Sequence, residues 1–265
     1  MIANVPTLTP AERLATSRLI ELALAHGPPI RRAILFGSKA RGDFDGDSDV
    51  DVLFLCDVPL DLRDAAADAL NREADHVRAA TGIAVEPWAV PVADLEPGWR
   101  TPMLIDALDD GHTLWPLGAP PIRLRFTPED ARFCAACLLD WVAAGGPIVR
   151  RALHEHRWAD AALRARDDIT RLAVAALLLT GDTRHRRIGS LRRFDERFVR
   201  TGLVSPRVRP ALDWAAAAFP PGGGRGLERP PATPEATATA PQGYRLATLM
   251  QDETLPLIHR LAATR

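Results

Sequence analysis

Apolar and polar positions repeat along this chain with two different periods, and the change of period divides it. In the first half, short apolar runs stand between helical stretches. Thr9, Pro10 and Glu12 carry the signals of a capped helix start, and Gly27, Pro28 and Pro29 stop that helix after about four turns. Arg32 to Phe36 reads as a short strand running into Gly37-Ser38, and Val50 to Cys56 as a second, nearly all-apolar strand. Leu60 to Ala80 repeats alanine, leucine and charge at helical spacing, and Gly82 precedes a third strand, Ile83 to Val90. A short helix at Met103 to Asp110 and a stub at His112 to Trp115 close the unit before the proline-rich stretch Pro116 to Pro121. The order helix, strand, strand, helix, strand predicts an α/β (α+β) domain with a small mixed sheet over about residues 9–118.

From Thr127 onward only the helical period remains. Thr127 and Pro128 begin a helix with Cys134, Cys137, Leu138 and Trp141 on one stripe; Gly145-Gly146 read as its stop, and a second helix begins near Pro147. A third helix is predicted from about Ala159 to Thr180, a fourth over Ser190 to Arg200, and a closing one over Tyr244 to Thr264. Pro220 to Gln242 is dominated by proline, glycine, alanine and threonine, which predicts a mobile loop. Residues 125–265 are therefore expected to form an all-α helical bundle.

Composition narrows the function classes. A formal net charge of -1 gives no general pull toward nucleic acid or an anionic membrane. Met1 to Pro10 lacks the basic start and apolar run of a signal peptide, and no uncharged stretch reaches membrane-spanning length. Cys56, Cys134 and Cys137 are too few and too unevenly placed for a disulfide framework. A cytoplasmic protein without a membrane partner is expected.

The chemistry concentrates in Leu35-Phe36-Gly37-Ser38-Lys39-Ala40-Arg41-Gly42 and, after Asp43 to Ser48, in Asp49-Val50-Asp51-Val52. A Gly-Ser pair at a strand end gives a tight turn whose amides and hydroxyl approach a phosphate closely. Asp49 and Asp51 are two apart at a strand start, so both carboxylates face one side while Val50 and Val52 enter the core. Such a pair suits Mg²⁺ (or Mn²⁺), which takes one or two carboxylates and completes its shell with water and substrate phosphates. Asp43, Asp45, Asp47, Asp49 and Asp51 also alternate, but a calcium loop starting at Asp43 would need glycine and glutamate where Ser48 and Phe54 stand.

These residues, Gly37-Ser38, ten positions, then Asp49-x-Asp51, resemble the signature of the DNA polymerase β-like nucleotidyltransferase superfamily, especially its minimal branch. The resemblance implies that Ser38 contacts the triphosphate of an NTP, with ATP the expected donor, and that Asp49 and Asp51 hold the metal. It also implies a third carboxylate on a later strand, as metal ligand or proton acceptor. Glu86 is the acidic residue inside the third strand and takes that role, the alternative being an exposed edge-strand glutamate; relatives more often carry aspartate there. Gly37 and Arg41 complete the nucleotide contacts, with a solvated helix-start arginine as the other reading of Arg41.

In the second half, Trp158-Ala159 through Thr180-Gly181, then His185, Ser190-Leu191, Phe194 and Phe198 to Leu203, resemble the HEPN family of helical domains. Ribonucleases of that family use an arginine and a histidine separated by four to six residues. No arginine stands at that spacing before His185, and Arg151 with His156 meets it only in an earlier helix, so no RNA cleavage is expected. Arg184, Arg186, Arg187, Arg192, Arg193, Arg197 and Arg200 form a basic cluster that reads either as a solvated helix face or as a phosphate-binding patch. Cys134 and Cys137 read as core, and His154 and His156 face different directions, which argues against a metal pair. Tyr244 is the one tyrosine and invites a self-labelling reading. The acceptor is a protein, an RNA or, as in the related kanamycin-type enzymes, a small molecule; the remaining alternative is a non-catalytic NTP-binding module. A homodimer through the helical domain is a further expectation.

Overall fold

The computed structural model describes residues 3–44, 48–183, 187–218 and 232–264, without the side chains of 187 and 188. It divides into two compact units, Met1–Arg125 and Phe126–Arg265.

The first unit begins with α1 (Pro10–His26), whose start carries the capping box of Thr9 and Glu12. β1 (Ile30–Phe36) leads into the one-turn helix α2 (Gly37–Arg41), then β2 (Val50–Cys56), α3 (Arg63–Thr81) and β3 (Val85–Pro91). α4 (Pro102–Asp110), capped by Thr101, precedes β4 (His112–Trp115), so the expected stub is an edge strand paired antiparallel to β1. The sheet order is β3-β2-β1-β4, with β1 and β2 antiparallel and β2 and β3 parallel across the α3 crossover, a small mixed sheet.

Both faces of this sheet are covered, as a nearly all-apolar β2 requires. Ala33, Leu35, Val50, Val52 and Phe54 pack with Leu19, Ile20 and Ala23 of α1 and Leu70 and Val77 of α3. Ile34, Leu53, Leu55 and Val90 pack on the other face with Leu104, Ala107 and Leu108 of α4. The unit takes in chain on both sides of 9–118. Val5 and Leu8 are buried beneath the sheet's helical face and Ala3 donates to the Leu114 carbonyl, while Ile122 and Leu124 pack beside α4.

In the second unit α5 (Pro128–His154) is a single helix of 27 residues, where two helices divided at Gly145-Gly146 were expected. Gly145 faces α6 so closely that a Cβ would lie 2.5 Å from Asp168 Oδ2 and 2.7 Å from the Arg164 guanidinium. Its glycine serves a close helix approach, and packing against α6 carries the helix through a local stop signal. By length and composition alone α5 could cross a membrane, with a mean hydropathy of 1.3, although Val142, Val149 and Ala152 are buried within the unit.

α6 (Trp158–Leu178) is the central helix, with Ala161, Ala165, Ile169, Leu172 and Ala176 fully buried. It also carries buried charge: Arg166 with Asp167 at 2.9 Å, Arg164 with Asp168 at 3.2 Å and Arg171 with Asp168 at 3.1 Å. Each ion is compensated within one helix, as burial demands. α7 (Arg187–Phe194) continues into a π-turn at Asp195–Val199, and α8 (Arg209–Ala217) is a helix that the periodicity did not separate.

The expected loop at 220–242 is partly helical. Thr233 caps α9 (Pro234–Ala238), Pro234 opens it, and α10 (Ala240–Ala263) follows at once, four residues earlier than Tyr244. The part of that loop between 219 and 231 lies outside the described residues.

Candidate active site

β1 ends at Phe36, and the chain turns at Gly37 with φ +75°, in the left-handed region that side chains rarely adopt. Phe36 is the register partner of Asp51 on β2, so the turn lies against that aspartate. A Cβ on Gly37 would stand 2.3 Å from Asp51 Oδ2. Glycine is therefore required twice here, once by the backbone and once by the carboxylate. Ser38 follows in α2, which ends at Gly42 in a left-handed cap whose N-H donates to the Ser38 carbonyl.

Asp51 is in turn the register partner of Glu86 on β3. Residues paired across a sheet put their side chains on the same face, so Glu86 and Asp51 share a face, and Asp49, two residues earlier, approaches it from the strand entrance. Val50 and Val52 point to the opposite face and are buried, as the alternation predicts. Phe36 and Trp88 flank the acidic residues on this side, their ring centroids 5.5 Å apart and both partly buried against the α4 side of the core.

The electrostatics register a crowd of like charges. Burial first, then the charges of Asp49 and Glu86, push the Asp51 carboxyl up to about 6, with Arg41 opposing. Glu86 is raised by burial and by Asp49, with Arg78 opposing and Asp75 reinforcing. Hard oxygen donors that repel one another on a half-buried surface are the chemistry that a divalent cation stabilises, so the donor set fits Mg²⁺ or Mn²⁺. Among the described residues no group of three or more His, Cys, Asp or Glu side chains is placed to hold a metal ion. A site built on one or two carboxylates plus phosphate and water needs none.

Arg41 reaches Asp43 at 3.2 Å and Asp110 at 3.9 Å and is half-exposed. It stands at the site but is already engaged by carboxylates. Asp45 and Asp47 lie outside the described residues. The sequence reading gave no role to Lys39 or His112. Lys39 is 4% exposed and ion-paired to Glu12 at 2.8 Å, and a His112 ring nitrogen lies 3.1 Å from the Ala40 carbonyl. A lone lysine inside the signature was the available signal for the first; the second is a long-range contact with no local trace.

Several of the charged and polar groups singled out in the helical unit have partners within that unit. Arg193 pairs with Asp182 at 2.9 Å, Arg200 and Arg209 bracket Asp195, and Arg192 faces Glu196, so much of the basic cluster is internally neutralised. His185, Arg184 and Arg186 lie outside the described residues. Arg151 is bound to Glu155 at 2.7 Å, and His156 lies beyond the end of α5 with φ 55°, so the two do not share a helix face. Cys134 is buried, which pushes its thiol up to about 12, and it forms no disulfide. The Tyr244 hydroxyl accepts from Arg150 at 2.9 Å.

No curated protein matches the chain. A family model described as the nucleotidyltransferase domain matches residues 17–88, a span from the middle of α1 to Trp88 of β3 that contains Gly37, Ser38, Arg41, Asp49, Asp51 and Glu86, and it supports nucleotidyl transfer as the general chemistry of this unit.

Proposed function

We propose that this protein moves a nucleoside monophosphate from an NTP, with ATP as the donor, to a hydroxyl of a protein or RNA acceptor. The observation that carries the reading is the convergence of Gly37, at the turn that follows β1, with Asp51 of β2 and Glu86 of β3, and with Asp49 beside them. Asp49 and Asp51 would hold Mg²⁺ or Mn²⁺, with Glu86 as third ligand or as the base for the attacking hydroxyl. When bound, the cation neutralises charge on the phosphoryl oxygens and the departing pyrophosphate. Gly37 lets the turn close against Asp51, where Ser38 would offer its amide and hydroxyl to a phosphate and Arg41 would exchange Asp43 for a phosphate oxygen. The acceptor oxygen attacks the α-phosphorus in line, the bond to the pyrophosphate oxygen breaks, and the hydroxyl proton passes to Glu86.

We read the helical unit as HEPN-like, a part that receives the acceptor or a second copy of the chain, within a cytoplasmic protein. Supporting the assignment of roles is the division of chemistry among the described residues: Asp51 and Glu86 are raised by burial and then by the charge of Asp49, whereas Asp168 of α6, also raised by burial, is ion-paired to Arg164 and Arg171. Incubation with each α-labelled NTP, Mg²⁺ and a cell lysate tests the reading. Label on a macromolecule with release of pyrophosphate is expected. Absence of label from all four NTPs, with lysate present, contradicts it.

A further inference from the structure

We infer that Lys39 is a positioning residue, whose buried ion pair with Glu12 fixes the Gly37-Ser38 turn against the carboxylate of Asp51. The inference rests on the reading of Asp49 and Asp51 as metal ligands.

α2 has five residues, too few to hold a helical conformation or a direction unaided. Its orientation comes from what grips it. On one side a His112 ring nitrogen meets the Ala40 carbonyl at 3.1 Å. On the other, Lys39 Nζ meets Glu12 Oε1 at 2.8 Å, the two side chains being 5% and 13% exposed. Glu12 is itself immobilised: its second oxygen accepts from the Thr9 backbone N-H at 2.8 Å and closes the capping box of α1. Burial raises the Glu12 carboxyl, but the hydrogen bonds from Lys39 and Thr9 outweigh it and hold the group below its ordinary value. Lys39 thus ties α2 to a carboxylate that cannot swing away. The Phe44 ring, 4.2 Å from Nζ, covers the ammonium from the loop side.

The residue type supports the same point. Lys39 is the one lysine in a chain that otherwise uses arginine. An ammonium is a compact charge with three donors on a flexible stem, whereas a buried guanidinium brings five donors to satisfy in a fixed plane. A narrow site between one carboxylate and one ring suits the former.

The tie matters because of what lies two residues away. Gly37 sits so near Asp51 that a methyl group there would overlap Oδ2. A small rotation of α2 therefore either presses on Asp51 or releases it, and metal ligands tolerate little displacement before affinity falls. Lys39 touches neither metal nor substrate on this account and acts through Gly37.

The test measures Mn²⁺ binding to the full chain from the EPR signal of free Mn²⁺, alongside melting followed by circular dichroism. Lys39→Met and Glu12→Gln are each expected to weaken Mn²⁺ binding by about tenfold, as loss of a residue supporting a ligand does, while both variants still melt cooperatively. Unchanged Mn²⁺ affinity in the folded variants overturns the inference. So does loss of cooperative melting in both, because the pair would then support the fold and not the ligand. Asp49→Asn with Asp51→Asn is the control: if it leaves Mn²⁺ binding intact the metal reading falls together with the inference, whereas if it abolishes binding and the Lys39 and Glu12 variants bind Mn²⁺ as tightly as the native chain, the inference falls alone.

Discussion

Asp51 and Glu86 are register partners across the parallel β2-β3 pair, and they share the sheet face on which Asp49 arrives. Both carboxyls are raised, that of Asp51 by burial and then by Asp49 and Glu86. Removing the Glu86 charge therefore relieves repulsion at Asp51 while deleting the proposed base. Glu86→Gln is expected to lower kcat by about a hundredfold, the low end for a general base, and to leave ATP affinity nearly unchanged. Turnover equal to that of the native chain would show Glu86 to be a bystander, and steady-state kinetics with a separate binding titration distinguish the cases.

Gly37 and Gly82 make a controlled pair, with φ +75° and +73°. An alanine at either position pays for the left-handed backbone, about 1 kcal/mol. Gly82 has no atom within 4 Å of an added Cβ, whereas Gly37 has Asp51 Oδ2 at 2.3 Å. Gly82→Ala is expected to lose about 1 to 2 kcal/mol in chemical unfolding and Gly37→Ala at least as much, because its Cβ also meets Asp51, but only Gly37→Ala should lose nucleotide transfer. Full activity in Gly37→Ala argues against a site at this turn.

How far the sequence reading carried depended on range. The Thr9-Glu12 capping box and the alternation of Asp49, Val50, Asp51 and Val52 are local patterns, and both appear as read. Glu86 was found as the acidic residue inside a strand, but its pairing with Asp51 is set by the α3 crossover, which no short window contains. The Lys39-Glu12 tie spans α1 and α2 and left no periodic trace. At Gly145-Gly146-Pro147 the local signal pointed the wrong way, because contact with α6 outweighs the propensity of three residues.

That last point is measurable. In an exposed helix, Gly→Ala stabilises by about 1 kcal/mol. At Gly146 the nearest atom to an added Cβ is the flexible end of Arg150 at 3.5 Å, and Gly146→Ala should follow the helix rule. At Gly145 the added Cβ meets Asp168 Oδ2 and the Arg164 guanidinium, which pin one another in a buried ion pair. Overpacking of that kind costs about 1 to 3 kcal/mol, so Gly145→Ala should destabilise. Urea unfolding of both variants checks the opposite signs; stabilisation by both would mean that α5 and α6 do not approach as described.

The Glu12 carboxyl is held below its ordinary value in the folded chain, after the Lys39 and Thr9 hydrogen bonds overcome the effect of burial. A carboxyl depressed by folding contributes stability above its unfolded value, about 4.3, and loses it as pH falls through the folded value. The native chain should therefore be more stable than Glu12→Gln at pH 7, with the gap closing below about pH 4. Urea midpoints at the two pH values measure this. A gap independent of pH would assign the effect to packing and not to the charge.

The central claim is that Asp49 and Asp51 hold the metal for nucleotide transfer and do not build the core. Asp51 lies against the Gly37 turn, and the core on that strand is supplied by Val50, Val52, Leu53 and Phe54. The most direct measurement is transfer of α-labelled phosphate from ATP in Mg²⁺ by the Asp49→Asn, Asp51→Asn double variant, with its melting curve recorded in parallel. The predicted result is a folded protein, no less stable than the native chain, in which transfer falls to background. Undiminished transfer by the folded double variant would contradict the account.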